Sequence, residues 1–427
     1  MRVCIVGGGI AGTLLAWRLA KRPEVDVHLV LGERYGQDAT GASGGLVRAF
    51  EPDEASCLAA ADALAELRGS ATLARWSGYR EVGSLYVADR PPAARLLAEI
   101  DARLPGSAVL LDAVELRRRF GMAGLPGTAV GVLERHAGYF SPDRLRLNAQ
   151  CDLLAGGVPL TVGRLRRLRV DGGGPTGGTT GGPTGGTTGG PTGGTTGGTT
   201  GGPTGGPTGG PTGAVTCEIG RKQLRFDVVV LAAGTWTERL LVRNGLPAHG
   251  LRTKLIQYGL YQVDGPRPPA FVDDTSGLYG RPGDGDTMVL GLPSKRWNVD
   301  PERPSPQRAA AAAVQDAAAR LLPAMRLVRR IRATAAADAY LPQGRLALRP
   351  VPGPQANGRL YTFTGGSGGA AKAALATSAV AAAELLAGAR AGARPHRPDL
   401  PGAPNVAFGA PSATNVTFVA SATLNGA

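Results

Sequence analysis

The chain opens with Val3-Cys4-Ile5-Val6-Gly7-Gly8-Gly9-Ile10-Ala11-Gly12, and this stretch decides the fold. The four apolar residues predict a short buried strand, and residues 13–21 predict the helix that follows the glycines. The glycines have G-x-G-x-x-G spacing: the first permits a tight turn, the second lets the backbone approach a pyrophosphate, and the third lets helix and strand pack. Free N–H groups at the helix start face the phosphates. The stretch predicts a dinucleotide-binding βαβ unit; a glycine-rich turn that binds nothing is the alternative.

The end of the second strand bears on which dinucleotide is bound. Residues 25–31 (VDVHLVL) predict this strand, which normally ends in a carboxylate that hydrogen-bonds the adenosine ribose. Leu31 stands at that place, and Glu33 follows two residues later. Either Glu33 contacts the ribose, or it is a solvated loop charge and the ribose contact is weakened. The glycine pattern alone therefore does not distinguish FAD from NAD.

The length of 427 residues overstates the globular part of the chain. Residues 172–213 are little more than Pro-Thr-Gly-Gly and Thr-Thr-Gly-Gly tetrads, which carry no apolar side chains to bury and predict a disordered spacer. Residues 391–427, rich in Ala, Pro, Gly and Asn, predict a flexible tail. Roughly 350 residues remain, enough for a large core. Strands predicted at 165–170 and 214–219 flank the repeat, which we expect at the tip of a β-hairpin.

Charge and cysteine content argue against several classes of function. The formal net charge is +14, mostly from arginine, but no basic stripe interleaved with aromatic residues occurs, which argues against nucleic acid as a partner. The four cysteines are scattered without a C-x-x-C pair, so neither a disulfide framework nor a metal site is expected. No secretion leader and no run of eighteen apolar residues is found. The sequence predicts a cytoplasmic protein without membrane contact.

Two later segments repeat the pattern of a strand followed by small residues. Residues 226–237 (FDVVVLAAGTWT) predict a second buried strand and turn. Residues 360–364 predict a last strand, which runs into Gly365-Gly366-Ser367-Gly368-Gly369-Ala370-Ala371-Lys372 and a long alanine-rich helix. Between them lie predicted antiparallel strands at 251–263 and 277–292. An alanine-rich helix to Leu322 follows, with Ser305 as the expected N-cap and Pro306 at its first position.

Together these motifs resemble the glycine/sarcosine oxidase (D-amino-acid oxidase-like) family of FAD-dependent oxidoreductases, over about residues 1–170 and 214–390. The resemblance rests on the opening stretch, the segment 227–236, the segment 138–142 (GYFSP) and the closing glycine loop. It implies an α/β fold whose Rossmann-like FAD-binding domain is built from discontinuous segments. It also implies an α+β substrate domain with an antiparallel sheet. The expected segments are 1–80, 140–171, 214–250 and 333–390 for the FAD-binding domain, and 81–139 and 251–332 for the substrate domain.

The resemblance is nearest to the sarcosine oxidase branch, and it assigns the site residues. In that branch the equivalents of Arg48 and Lys372 hold the substrate carboxylate, a task that suits a guanidinium fork and a point charge. A structural or pyrophosphate-binding Arg48 and a solvent-facing Lys372 are the alternatives. The residues expected to contact FAD are Gly7, Gly9, Ile10, Ala11, Gly12, Glu33, Arg34, Ser43, Leu165, Ala233, Gly234, Trp236, Gly368, Gly369, Ala370 and Lys372.

The sequence departs from that branch at several positions. Gly45 replaces an arginine, Val289 replaces the lysine that activates oxygen, and Pro293 replaces a histidine near the substrate. The cysteine that attaches FAD covalently falls near Ala336, so we expect non-covalent FAD. Asp338 lies near the place of an arginine with which the glycine oxidase branch binds carboxylates. This departure disfavours a glycine or D-amino-acid oxidase.

We therefore expect an FAD-dependent oxidoreductase that oxidises the C–N bond of a secondary or cyclic amine or amino acid to an imine, by hydride transfer to flavin N5. Oxygen or another acceptor would take up the electrons. Tyr258, Tyr261, Tyr279 and Tyr340 either line the substrate pocket or pack the sheet. The alternatives are a subunit of an FAD-dependent dehydrogenase, or a flavoprotein of another class, such as a monooxygenase or a tRNA-modifying enzyme.

Overall fold

The structure is a computed structural model that describes residues 1–33, 38–170, 214–341, 344–353, 356 and 358–390. The predicted repeat 172–213, the tail 391–427 and Arg34 lie outside the described residues. The strands are β1 (Arg2–Val6), β2 (Asp26–Leu31), β3 (Leu46–Val47), β4 (Ser84–Ala88), β5 (Ala108–Asp112), β6 (Val130–Glu134), β7 (Gly138–Tyr139), β8 (Leu160–Val162), β9 (Leu165–Val170), β10 (Val215–Ile219), β11 (Lys222–Phe226), β12 (Val228–Leu231), β13 (Arg252–Asp264), β14 (Ala270–Asp273), β15 (Tyr279–Pro282), β16 (Thr287–Gly291), β17 (Arg326–Tyr340), β18 (Ala347–Pro350) and β19 (Leu360–Thr364). The helices are α1 (Ile10–Leu19), α2 (Glu54–Gly69), α3 (Ala71–Ser77), α4 (Ala94–Arg103), α5 (Ala113–Phe120), α6 (Pro142–Ala155), α7 (Thr237–Arg243), α8 (Arg308–Leu321) and α9 (Ala370–Arg390).

A mostly parallel sheet carries the opening βαβ unit. Its six strands have the order β18-β19-β12-β1-β2-β8, and only the edge strand β18 runs antiparallel to its neighbour. The chain leaves β1 through α1 towards β2, while β12 pairs with the other side of β1. Ligands of such sheets bind outside the carboxyl ends of the strands, where the chain turns to opposite sides. The end of β1 is such a point.

The helix starts follow from the local sequence. Asp53 caps α2 by accepting a hydrogen bond from the Ser56 N–H at 2.9 Å, and Ser141 caps α6 ahead of Pro142. Asp112 and Glu115 form a capping box at the start of α5. These side chains satisfy N–H groups that the first helical turn leaves without partners.

The second large sheet has eight strands. Its order is β17-β13-β16-β15-β14-β4-β6-β5, and all neighbours are antiparallel except β14 and β4. The parallel and antiparallel sheets together confirm the predicted fold class. The predicted boundary between residues 332 and 333 falls inside β17, which pairs with β13 along its whole length. The division into domains otherwise stays a prediction.

The strands on either side of the glycine-rich repeat pair with each other. Val170 of β9 lies opposite Val215 of β10, and β10 continues antiparallel to β11. The repeat therefore connects two adjacent strand ends, as expected for an insertion at the tip of a hairpin.

The last helix lies in the core rather than beside it. α9 packs on α1 and α2, and its residues Ala374, Ala381 and Leu385 are buried. Among the described residues, its segment Ala370–Gly388 is the one helix long and apolar enough to cross a membrane, and 39% of the most apolar window is buried inside the protein. The packing on α1 and α2 accounts for this composition as that of a core helix. The absence of membrane contact stays a prediction.

One predicted helix start is wrong. α8 begins at Arg308 and not at Pro306, and Gln307 rather than Ser305 precedes its first residue. The Gln307 N–H donates to Gln257 Oε1 at 2.9 Å, and Gln257 Nε2 donates back to Gln307 Oε1 at 3.0 Å. These two bonds hold Gln307 in an extended conformation, so the helix starts two residues later than predicted.

Candidate active site

A cavity lies between the parallel sheet and the eight-stranded sheet. The cavity is open to solvent, and its empty space, counted together with the solvent at its mouth, measures about 960 Å³. The segments 39–46 and 368–372 line one side, and residues 254–258 and 292–294 line the other. The described lining is largely apolar, from Ile10, Ala39, Ala42, Leu46, Leu255, Ile256, Leu292, Pro293, Ala370 and Ala371.

The first glycine loop ends at this cavity and is shaped by close backbone packing. Gly7 has a φ of +130°, and a Cβ there would overlap the carbonyl oxygen of Ala232. A Cβ on Gly12 would overlap the Gly7 carbonyl oxygen. The turn after β12 therefore lies directly against the first loop, as the resemblance implies for Ala233 and Gly234. The Ile10 N–H at the start of α1 donates to Thr40 Oγ1 at 3.0 Å, which ties the next loop to this helix end.

The closing glycine loop approaches the same cavity from the other end of the chain. Ser367 has a positive φ of 46°, and its Oγ accepts a hydrogen bond from the Leu341 N–H at 3.2 Å. The Gly368 N–H donates to Asp338 Oδ2 at 2.9 Å. Asp338 is half-buried, and the loss of hydration raises the pKa of its carboxyl group. β17 thus fixes the loop just before α9 begins.

A buried ionic cluster joins the two ends of the chain. Lys372, on the first turn of α9, donates from Nζ to Glu51 Oε1. Arg48, in the loop after β3, places Nη2 at 2.9 Å from the same Glu51 oxygen. The side chains of Arg48, Glu51 and Lys372 are 2%, 3% and 7% exposed. Burial lowers the pKa of Lys372 to about 8, because an ammonium ion loses its hydration there.

A second buried carboxylate holds the backbone of the arginine loop. Glu134, at the end of β6, accepts hydrogen bonds from the Ala49 N–H at 2.8 Å and the Phe50 N–H at 3.0 Å. Burial raises the pKa of Glu134 to about 7. The Arg48 guanidinium lies 5.1 Å from the centre of the Tyr86 ring. Arg48 is therefore held by charge, ring and backbone contacts together.

The antiparallel sheet contributes aromatic side chains and a lysine. Tyr258, Tyr279 and Tyr340 line the cavity, whereas Tyr261 is buried in the core beneath the sheet. Lys254 also lines the cavity; its Nζ lies 4.9 Å from the ring centre of Trp297 and 5.3 Å from that of Tyr340. Burial lowers the pKa of Lys254 to about 8. Both alternatives for the four tyrosines therefore occur: three line the cavity and Tyr261 packs the sheet.

The cavity collects site residues that are far apart in the sequence. Predicted residues among its lining are Ile10, Ser43, Arg48, Gly368, Ala370 and Lys372. Other residues of the glycine loops and of the turn after β12 that are predicted to contact FAD do not line the cavity. They are Gly7, Gly9, Ala11 and Gly12 in the first loop and the start of α1, Ala233, Gly234 and Trp236 after β12, and Gly369 in the closing loop. Their contact with the cofactor stays a prediction.

Glu33 and Leu165, both expected to contact FAD, have other surroundings in the structure. β2 ends at Leu31 without a bulge, and the exposed Glu33 pairs with Arg164 at 3.0 Å. Leu165 does not line the cavity; its side chain is buried in the core between β9 and the parallel sheet. In this arrangement Glu33 is a surface charge whose partner is protein, as in the second of the two alternatives.

Packing explains one departure from the sarcosine oxidase branch. Gly45 has a φ of +71°, and a Cβ there would overlap the carbonyl oxygen of Phe140, whose N–H donates to the Gly45 carbonyl. An arginine at this position would have to move the start of α6. The cation of the branch is therefore absent here for a steric reason.

Glu51 and Glu134, the carboxylates that lie beside Arg48, were not among the predicted site residues. Glu51 follows Arg48 by three residues, and this spacing of opposite charges is the signal that the sequence offered for it. Glu134 lies on a strand that is 86 residues further along the chain, and no local pattern links it to Arg48. The role of Lys254 likewise depends on the tertiary fold.

The residues present fit FAD. The first loop and the start of α1 provide a glycine cradle and helix N–H groups for a pyrophosphate. Buried hydroxyls at Thr235 Oγ1 and Tyr340 Oη have no hydrogen-bond partner among the described residues. Such groups are satisfied when a polar ligand lies beside them. Among the described residues, no group of three or more His, Cys, Asp or Glu side chains is placed to hold a metal.

Comparison with known proteins agrees with this geometry. The model of the DAO family, described as FAD dependent oxidoreductase, matches residues 2–385. Among solved structures, L-proline dehydrogenase from P. horikoshii has a TM-score of 0.68 at 15% identity, over 91% of this chain and 93% of that chain. Glycine oxidase from Bacillus cereus has a TM-score of 0.62 at 16% identity, with 91% and 95% covered. Iminodiacetate oxidase from Chelativorans sp. has a TM-score of 0.61 at 19% identity, with 90% and 95% covered. No curated protein matches the sequence significantly.

Proposed function

Because the chain belongs to the DAO family of FAD-dependent oxidoreductases, we propose that it oxidises the C–N bond of an amine or amino acid to an imine. FAD, when bound, would supply the redox chemistry as the acceptor of a hydride. The hydride would leave the carbon next to the substrate nitrogen, the nitrogen lone pair would form the C=N bond, and the nitrogen would lose its proton. The substrate we propose is a secondary or cyclic amine. This choice is supported by two structural neighbours named for proline and iminodiacetate, both of which are secondary amines.

Arg48 and Lys372 are the residues proposed to bind a substrate carboxylate. Both line the cavity, and they come from loops that the fold brings together from the two ends of the chain. The apolar walls and the tyrosines of the antiparallel sheet exclude water from the carbon that loses its hydride. The convergence of these two cations on one apolar cavity is the observation that carries the proposal.

FAD is proposed to bind without a covalent bond. The described residues that line the cavity include no cysteine. Release of intact FAD on acid precipitation of the protein would support this, and flavin that remains with the precipitate would contradict it.

The function is tested by flavin reduction without oxygen. The purified protein, with its flavin spectrum recorded, is mixed anaerobically with N-methyl, cyclic and primary amino acids and with the corresponding amines. Bleaching of the flavin band by a member of this panel supports amine oxidation. A spectrum left unchanged by every member, with FAD in place, would refute it.

Lys372→Met tests the carboxylate site. Loss of a charge-assisted hydrogen bond of about 1.5–3 kcal/mol predicts a rise of roughly 10- to 100-fold in KM for substrates with a carboxylate. The decarboxylated amines should keep their KM. Lys295→Met is the matched control, because Lys295 is exposed and does not line the cavity. Equal kinetics for wild type and Lys372→Met would show that Lys372 does not bind the substrate carboxylate.

The electron acceptor is a separate question. Val289 stands where the sarcosine oxidase branch has its oxygen-activating lysine, which favours a dehydrogenase over an oxidase. Reduced protein mixed with air-saturated buffer or with an artificial dye decides between them. Faster re-oxidation by the dye indicates a dehydrogenase, and rapid re-oxidation by oxygen indicates an oxidase.

A further inference from the structure

The cations proposed to bind the substrate carboxylate already share one protein carboxylate. Glu51 Oε1 accepts from Lys372 Nζ and lies 2.9 Å from Arg48 Nη2. Glu51 itself does not line the cavity, whereas both of its partners do. Glu51 is therefore buried beside the two cations and is not part of the cavity wall.

We propose, on the basis of the function proposed above, that Glu51 is a positioning residue: it keeps the Lys372 ammonium ionised and oriented, so that the cavity binds substrates that carry one carboxylate. The competing possibility is that Glu51 occupies the carboxylate site and blocks it. In that case the enzyme would prefer amines without a carboxylate. The two possibilities predict opposite effects when Glu51 is neutralised.

Charge balance favours the positioning role. Arg48 and Lys372 bring two positive charges and Glu51 brings one negative charge, so these three side chains together keep one positive charge for a ligand. Glu134 makes its hydrogen bonds to the backbone N–H groups of Ala49 and Phe50 instead. A single substrate carboxylate neutralises the remaining positive charge. Without Glu51, two neighbouring cations would be buried together, and each would disfavour the charge of the other.

The surroundings of Lys372 make its charge depend on Glu51. Burial and the Arg48 charge lower the pKa of Lys372, while Glu51 raises it, and the balance lies near 8. Glu134, on β6, adds a smaller effect in the same direction as Glu51. Lys254, Asp338 and the three tyrosines of the antiparallel sheet line the same cavity. Lys372 is therefore protonated below about pH 8, and removing Glu51 would move its titration to lower pH.

The experiment measures binding of a ligand that cannot be oxidised. Cyclopentanecarboxylate, which has no nitrogen, is titrated into the FAD-loaded protein between pH 6 and 9.5, and the shift of the flavin absorbance gives the Kd. For the wild type we expect a Kd that is constant below about pH 8 and rises above it. For Glu51→Gln we expect the rise to begin at least one pH unit lower, with binding at pH 7.5 weakened about threefold or more.

Control ligands and variants separate this role from general damage. Cyclopentanecarboxamide, which is neutral, should bind equally to wild type and Glu51→Gln. Glu54→Gln changes an exposed carboxylate three residues away, which pairs with Arg95, and should leave both ligands unaffected. If Glu51→Gln does not retain FAD, Glu51→Asp keeps the charge on a shorter side chain and should show the wild-type pH profile with a weaker Kd.

Three outcomes would overturn the proposal. Tighter binding of cyclopentanecarboxylate by Glu51→Gln would show that Glu51 competes with the ligand. An unchanged pH profile would show that Glu51 does not control Lys372. Absence of cyclopentanecarboxylate binding by the wild type at pH 7 would show that the cavity does not bind a carboxylate. Because this assay involves no turnover, failure of the amine panel would refute the proposed reaction while leaving the result on Glu51 intact.

Discussion

Single residues near the cavity show where sequence reasoning succeeded. Arg48 and Lys372 stand out in the sequence because each interrupts a segment of small or apolar residues, and both line the cavity. The role of Glu51 is not visible in the sequence, because its partner Lys372 on α9 is 321 residues away. Gly45 could be recognised as a departure, but only the carbonyl of Phe140 explains it. The sequence thus indicates which residues belong to the site, whereas the tertiary fold determines which residues they pair with.

Glu134 should make the stability of the protein depend on pH. Burial raises its pKa from 4.5 to about 7, so the folded protein holds this proton more tightly than the unfolded chain does. The contribution of Glu134 to stability should therefore fall as the pH rises from about 4.5 to about 7, and stay constant above that. Glu134→Gln should remove this fall. Denaturant unfolding of wild type and variant across pH 4.5–8 measures it.

An exposed carboxylate provides the comparison for Glu134. Glu99→Gln alters a residue that pairs with Arg103 at the surface, and its unfolding profile should follow that of the wild type over the same pH range. If Glu134→Gln and the wild type differ by a constant amount at every pH, Glu134 does not titrate in this range and the prediction is wrong.

Helices and strands with a clear start signal and an apolar period were predictable. α2, α5 and α6 begin directly after Asp53, Asp112 and Ser141, residue types that favour helix starts, and each of these side chains accepts a backbone N–H of its own helix. β17 was missed, since its first half is exposed and rich in arginine and carries no apolar alternation. That strand is held by its pairing with β13, which a local pattern does not reveal.

The capping box of α5 can be tested by itself. Asp112 accepts the Glu115 N–H at 2.8 Å, and Glu115 accepts the Asp112 N–H in return. Asp112→Ala should lower the free energy of unfolding by about 1 kcal/mol, since both the cap and its reciprocal bond are lost. Asp112→Asn keeps an acceptor at the cap and should lose only a fraction of this. Equal losses for the two variants in denaturant unfolding would indicate that the cap acts through its charge alone.

At the scale of the whole molecule, the arrangement of the sheets was predicted mainly from the family resemblance. The pairing of β12 with β1 and with β19 joins segments that are more than 100 residues apart, and no periodicity in the sequence specifies it. The cavity forms only where these segments meet the antiparallel sheet. Its lining could therefore be anticipated by analogy, but its ionic partners could not.

The glycine-rich repeat should be dispensable for the flavin site. β9 and β10 pair directly at Val170 and Val215, so a short turn can replace the insertion. Deletion of residues 174–210 should leave the FAD content and the melting temperature close to those of the wild type. Extending the deletion through residue 219 removes β10 and its buried residues, and this should abolish stable folding. Loss of FAD in the shorter deletion would show that the repeat supports the site.

The position of Lys372 has a consequence for how the protein is made. Arg48 and Glu51 are synthesised more than 300 residues before Lys372 on α9. Until α9 has left the ribosome, the nascent chain therefore holds Arg48 and Glu51 without the lysine that pairs with them. We expect stable capture of FAD only after α9 has packed against α1 and α2.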